Sequence, residues 1–349
     1  MTSNRCNNSF LPAWLIVTLS LCTGTMTATQ VPVKPARTPE NLFSELKSDD
    51  VVTRRAAANQ LGSLRARDSA RRLIATLADR DVTVREAAAF ALGQIADPAA
   101  TESLVRALTD GDFEVRASAA FALGMIGGAR AAEATSFALA DSDPAVRASA
   151  AAALGLMRDE GGVDEIIELL NDSSFDTRYD AAWSLGQIGA PDALDHLRVS
   201  LVGLDVLRIS EPLREVFRQT VQNSIENIRF LNDETAGTDS SGRPRRATQT
   251  SPALAENEKS KGVQNRAVNV SKTVAPAPTE RALRSRVSGT VGLRVLVSTS
   301  GRPTRVYVTR RLGYGLDQRA VEAVMQYRFD PAVRNGISQT GWIDLDVKF

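Results

Sequence analysis

The spacing of apolar residues divides the chain from residue 39 onward into three regions. Between residues 39 and 231 apolar positions recur with helical periodicity, in alanine-rich segments that lack the alternation of strands. From residue 232 to 280 the periodic signal stops, and Asp, Ser, Thr, Pro, Lys and Gln dominate, which predicts a disordered tether that lets the unit after it move independently of the unit before it. After Arg281 the period falls to two. Val291, Leu293, Val295 and Val297 alternate with other residues, a Ser300-Gly301 turn follows, and Val306 and Val308 begin a second strand. Leu316, Ala320, Ala323, Val324 and Tyr327 return to helical spacing after Gly313-Tyr314-Gly315, and residues 342–349 alternate once more. The expected order of this last unit, residues 281–349, is β-β-α-β, a small α+β domain behind an all-α one.

The helical region is a repeat. Residues 54–62 read RRAAANQLG, 85–93 REAAAFALG, 116–124 RASAAFALG, 147–155 RASAAAALG and 178–186 RYDAAWSLG, so that an arginine and a glycine each return every 31 residues. In each unit an apolar segment leads through an Asp-rich turn into the alanine-rich segment, predicting a helix pair. A single pair cannot bury its apolar faces, so the units must stack into a solenoid with a continuous core. These residues resemble the short HEAT-like repeats first described in phycobilin lyases. The resemblance implies a right-handed α-superhelix used for protein contacts, and it does not imply lyase activity. Residues 191–231 leave the register, with Arg208 one place early and Pro212 opening a longer helix, and read as the terminal cap of a solenoid spanning residues 39–231.

Two features of the repeat could carry chemistry. Asp-x-Asp pairs, such as Asp79 and Asp81 or Asp141 and Asp143, precede the arginines. Clustered carboxylates suit calcium, but the units lack the Gly and distal Glu of a calcium loop. Helix capping, with the arginine bridging to an aspartate of a neighbouring unit, is the favoured reading, and no metal site is expected. The second feature is a face at the first, fifth and ninth places after each arginine, which lines the concave surface in repeats of this kind. It carries Phe90, Phe121, Met125, Leu156, Tyr179 and Trp183, an apolar ridge that either binds a partner protein, with Tyr179 and Trp183 the best candidates, or packs on neighbouring second helices within the groove.

The C-terminal residues resemble the TonB C-terminal domain family. The match runs through GTVGLRVLVSTSGRPTRVYVTRRLGYGLDQRAVEAVMQYRFDPAVRNG to a closing strand ending in KF. The resemblance implies a three-stranded antiparallel sheet backed by a helix, whose last strand recruits an extended peptide of an outer-membrane receptor by strand addition. It places the pairing edge at Trp342, Ile343, Asp344, Leu345, Asp346, Val347, Lys348 and Phe349, with Ile343, Leu345 and Val347 also facing the core. The Tyr-Pro pair that usually precedes the first strand is absent, and the equivalent stretch reads TERALRSRVS.

Composition narrows the function. The 42 Lys+Arg nearly balance 41 Asp+Glu, so no global field favours nucleic acid. The single histidine, His196, and two cysteines, Cys6 and Cys22, leave little for histidine-dependent hydrolysis or zinc chemistry. No phosphate loop, dinucleotide fingerprint or nucleophile elbow occurs, and neither an enzyme nor a cofactor is expected. Residues 10–22 form a compact apolar run after Arg5, read as a secretory signal within residues 1–28. Retained, that segment is just long enough to anchor the chain in the inner membrane and would be its only membrane contact. The expectation is a periplasmic, non-enzymatic adaptor, soluble or anchored, whose solenoid binds one envelope protein and whose last domain binds another, outer-membrane receptors among them. The alternative is an energy transducer coupling the inner membrane to outer-membrane transport. Against that alternative, the apolar segment lacks the histidine of energy-coupling relatives, and the solenoid stands where they carry a Pro-rich spacer. A third reading is an envelope scaffold on peptidoglycan.

Overall fold

A computed structural model describes residues 38–202, 204, 209–235, 266–334 and 336–349. The expected signal or anchor over residues 1–28, Arg208 and most of the expected tether lie outside the described residues.

Six helix pairs build the first part. The first helices are α1 (Pro39–Glu45), α3 (Ala70–Thr76), α5 (Thr101–Ala107), α7 (Ala129–Phe137), α9 (Val163–Glu168) and α11 (Ala193–Ser200). Their partners are α2 (Val51–Ser63), α4 (Val82–Ile95), α6 (Phe113–Ile126), α8 (Pro144–Met157), α10 (Phe175–Ile188) and the long α12 (Glu211–Thr235). The second helices stack side by side in chain order. The recurring glycine permits this: a Cβ on Gly124 would stand 2.5 Å from the Cα of Ala153 in the next helix, and Gly62, Gly93, Gly155 and Gly186 make the same close approach. All five glycines are there because neighbouring backbones touch.

The Asp-x-Asp pairs resolve into caps and clamps. Asp50, Asp81, Asp112 and Asp143 accept a backbone N–H at the start of α2, α4, α6 and α8, as Ser174 does for α10. The other aspartate of each pair takes the arginine of the preceding repeat in a two-bond fork. Arg54 donates to Asp79 at 2.7 and 2.9 Å, and Arg85–Asp110, Arg116–Asp141 and Arg147–Asp172 repeat the geometry. Among the described residues no group of three or more His, Cys, Asp or Glu is placed to hold a metal ion.

The C-terminal part is built on the expected β-β-α-β frame. Strands β2 (Thr290–Val297), β3 (Pro303–Arg310) and β7 (Gly341–Lys348) form an antiparallel sheet in the order β3-β2-β7, with α14 (Leu316–Met325) packed against it. Short strands β4 (Arg328–Asp330), β5 (Ala332–Arg334) and β6 (Ile337–Gln339) lie between α14 and β7, each too brief to show a period in the sequence.

Described residues at both ends of the expected tether, residues 232–280, take regular structure instead. Helix α12 continues to Thr235, and β1 (Asn269–Lys272) pairs with β4 while Arg266 bridges Val333. Pairing with strands more than fifty positions downstream supplies order that a polar segment cannot generate from its own residues. Thr279 then caps α13 (Glu280–Ser285). The expectation that the last domain moves independently of the solenoid is also corrected. Phe90, Phe121 and Tyr179 of the solenoid share one hydrophobic core with Leu293, Leu312, Tyr314 and Leu316, so the domain is docked on the second-helix layer.

Candidate functional site

The docking contact centres on Gly313-Tyr314-Gly315, three successive residues in the left-handed region with φ of 76°, 57° and 71°. The flanking glycines take this conformation freely, and Tyr314 is carried with them. The turn thrusts the tyrosine ring between α4 and α6. It meets Phe90 edge-on, centroids 5.3 Å apart, while its hydroxyl lies 2.8 Å from Ser118 Oγ. Arg281 covers the ring at 4.7 Å, and the Thr279 hydroxyl donates to the Tyr314 carbonyl at 2.7 Å. Burial pushes the phenol well above its ordinary pKa. A Cβ on Gly313 would press on the Phe121 ring at 3.3 Å.

Charged groups surround this finger. Arg311 is sealed between Asp180 of α10 and Asp317 of α14, bonded to both, with its guanidinium 4.3 Å over the Trp183 ring. Asp317 also accepts the Leu312 N–H at 2.8 Å, fixing the approach to the turn. Burial raises the Asp180 carboxyl to about 7; Arg311 opposes the shift, and the neighbouring Asp317 and Asp176 add to it. In α4, Glu86 accepts from the Ser285 hydroxyl at 2.6 Å and is raised chiefly by burial. Toward the end of the solenoid, Asn223 of α12 donates to the Val306 carbonyl at 3.1 Å and Glu226 pairs with Arg305 at 2.9 Å. The outer edge of β3 thereby meets α12 at Arg305 and Val306.

These contacts revise the expected partner-binding ridge. Phe90 and Phe121 are 5% exposed and Tyr179 2%, covered by the chain's own last domain. Trp183 is half-buried beneath Arg311, and Met125 lines a cleft beside Ser288, Gly289 and Leu312. Leu156 alone of the six is exposed. The apolar character of the face was legible, but its occupant is internal. The polar partners Glu86, Ser118 and Asp180 were missed, although Glu86 and Asp180 break the repeat's alanine-rich pattern at the first and second places after their arginines.

The other expected site behaves differently. Strand β7 pairs with β2 in unbroken register from Thr290↔Lys348 to Val297↔Gly341 and, among the described residues, with no other strand. Gly289 and Phe349 exchange both backbone bonds, at 3.2 and 3.0 Å. Alternation from that pair directs the N–H and C=O groups of Ile343, Leu345 and Val347 toward β2 and those of Trp342, Asp344, Asp346 and Lys348 outward. The sheet thus has one edge contacted by α12 at Arg305 and Val306 and, among the described residues, one edge without a neighbouring strand. Side chains divide similarly: Val347 is buried with Ile343 and Leu345 half-buried, whereas Trp342, Asp344, Asp346 and Lys348 are exposed. Phe349 is half-buried at the end.

The family described as HEAT repeats matches residues 39–124 and 131–205, and the PBS lyase HEAT-like repeat matches residues 115–134. Residues 278–349 match the Gram-negative bacterial TonB protein C-terminal family. The chain thus carries HEAT-like repeats followed by a TonB-type C-terminal domain. Protein tonB2 of Pseudomonas aeruginosa is 42% identical over 77 residues, 21% of this chain, and the alignment spans only 28% of that relative's length. Among solved structures, an engineered protein is similar at 25% identity over 55% of this chain and 96% of its own, with a TM-score of 0.40. The phycocyanin lyase complex of CpcE and CpcF from Nostoc sp. is similar at 21% identity over 59% of this chain and 100% of that chain, with a TM-score of 0.34. A designed armadillo repeat protein in complex with the peptide (KR)4 is 18% identical over 55% of this chain and 100% of its own, with a TM-score of 0.39. Together the two parts indicate a protein-interaction and TonB-like envelope role. No helix among the described residues is long and apolar enough to cross a membrane.

Proposed function

We propose that this chain is a non-enzymatic periplasmic adaptor that captures an extended segment of an envelope protein along β7, with the solenoid serving as the mount for the capturing domain. The observation that carries the reading is the asymmetry of the sheet: α12 meets the outer edge of β3, while β7 keeps the backbone groups of Trp342, Asp344, Asp346 and Lys348 turned outward. Main-chain pairing at such an edge supplies affinity, and side chains supply selectivity. The original expectation of a separate protein partner on the solenoid's aromatic ridge does not fit a face that its own domain fills. The energy-transducer alternative draws on the likeness to Protein tonB2, which is confined to the last domain.

The test is photocrosslinking in the native envelope from a reactive amino acid in place of Lys348, in the full chain. Adducts are expected, and Asp344→Pro should abolish them, because its N–H faces outward and its loss leaves the β2–β7 ladder intact. An unchanged melting temperature of the Asp344→Pro protein would show that the domain still folds. Adducts that persist in that folded variant would sink the strand-addition reading.

A further inference from the structure

The geometry points to a specific chemistry for the segment that pairs with β7: a strand of a partner protein in which cationic side chains alternate with apolar ones. This rests on the strand-addition reading and specifies its partner.

A strand added beside β7 continues both faces of the sheet. On the face toward α14 its side chains would lie next to Ile343 and Leu345, which pack on the core yet stay half-buried. Apolar residues there would extend an existing apolar surface. On the opposite face its side chains would lie next to Asp344 and Asp346, whose side chains are 79% and 63% exposed. Directly opposed side chains on neighbouring strands sit about 5 Å apart, close enough for charge to discriminate.

The charges already on this face pair arginines of β3 and β2 with the aspartates of β7. Arg310 of β3 reaches across Gly292, which has no side chain to block it, and meets Asp346 of β7 at 2.6 Å. Arg294 of β2 lies 3.8 Å from its cross-strand neighbour Asp344. Each row thus runs from an inner arginine to an outer aspartate, and the next position outward is suited to a cation. An anion there would face two carboxylates at closer range than the arginines behind them. Trp342 already stacks with Arg294 at 5.6 Å and leaves much of its ring uncovered, so a cationic side chain is accommodated at that end too. Lys348 limits the cationic stretch to the part of the edge beside residues 342–346.

The experiment is fluorescence anisotropy of the full chain with three short capped peptides that alternate Val with Lys, Val with Ser, or Val with Glu. The expected order is Lys, then Ser, then Glu, with Lys about tenfold tighter than Glu at low salt and the gap closing as salt is raised. Asp344→Lys combined with Asp346→Lys should reverse the order, with the melting curve confirming the fold. If all three peptides bind alike and Asp344→Pro abolishes binding, strand addition stands and the cationic preference fails. A Lys-first order that survives Asp344→Pro places the attraction away from the edge and overturns the proposal. If none of the three binds, the proposal and the reading beneath it both fail.

Discussion

Tyr314 stands edge-on to Phe90 with ring centroids 5.3 Å apart and planes at 87°, joining the tip of one domain to the inner face of another. The tyrosine is 7% exposed and its hydroxyl rests on Ser118. Replacing it with alanine removes the largest single plug in the interface. Tyr314→Ala should weaken docking by about 3–5 kcal/mol, the usual effect of emptying a buried aromatic site. Tyr314→Phe should lose only about 1 kcal/mol, the net worth of one hydrogen bond. Small-angle scattering would report the change as an increase in maximum dimension for alanine and none for phenylalanine.

Arg311 tests whether the clasp is specific. One guanidinium serves Asp180 across the interface and Asp317 within its own domain. Arg311→Met leaves two buried carboxylates without their counter-ion and should destabilise the protein by about 3–5 kcal/mol. Asp180→Asn placed on top should recover part of that loss in urea unfolding, with Asp180→Asn alone measured as the reference. Simple additivity of the two changes would show that the pair is not coupled.

Acid should act on the two parts in opposite directions. Burial holds Glu86 and Asp180 above their ordinary range, even with Arg281 beside the first and Arg311 beside the second. The docked form therefore keeps their protons at a pH where the undocked form has lost them. Docking should weaken as pH rises from about 4 to about 7 and change little above that. Glu86→Gln should flatten part of this dependence. Burial also works to raise Asp79, Asp110, Asp141 and Asp172, but their arginine partners and a backbone N–H outweigh it and hold all four below the ordinary value. The repeat stack should accordingly lose stability as pH falls below about 4, through their lowered pKa values. Scattering at pH 5 and pH 8 reads the first effect, and acid unfolding followed by circular dichroism reads the second.

Gly124→Ala should destabilise the solenoid although alanine is the better helix former. The intrinsic gain is about 1 kcal/mol, but the new Cβ would stand 2.5 Å from the Cα of Ala153. Forcing the helices apart should cost about 1–3 kcal/mol, so the melting temperature should fall. A rise would mean that the stacked helices separate without penalty.

How much of this was legible in the sequence depended on how local the cause was. The repeat arginines, aspartate caps and glycines were readable because each acts on a helix end or on the next unit, and the 31-residue period exposes them. The period-two pattern of residues 291–297 and 342–349 likewise announced the sheet and its last strand. Residues 266–272 were misread as part of a tether because their order comes from strands β4 and β5 far along the chain. The aromatic ridge was found, but nothing at Phe90 or Phe121 says whether the covering surface belongs to another protein or to this one. Tyr314 held that information in its setting between two glycines, a conformation that becomes meaningful only when the opposing Ser118 and Phe90 are in view.

The open edge of β7 and the buried finger belong to the same small domain, so they share a mechanical fate. A strand gripped at β7 and then pulled would load the Tyr314 finger and the Arg311 clasp. While those contacts hold, the mount bears the force through side chains. The docked interface therefore sets how hard a captured strand can pull on the solenoid.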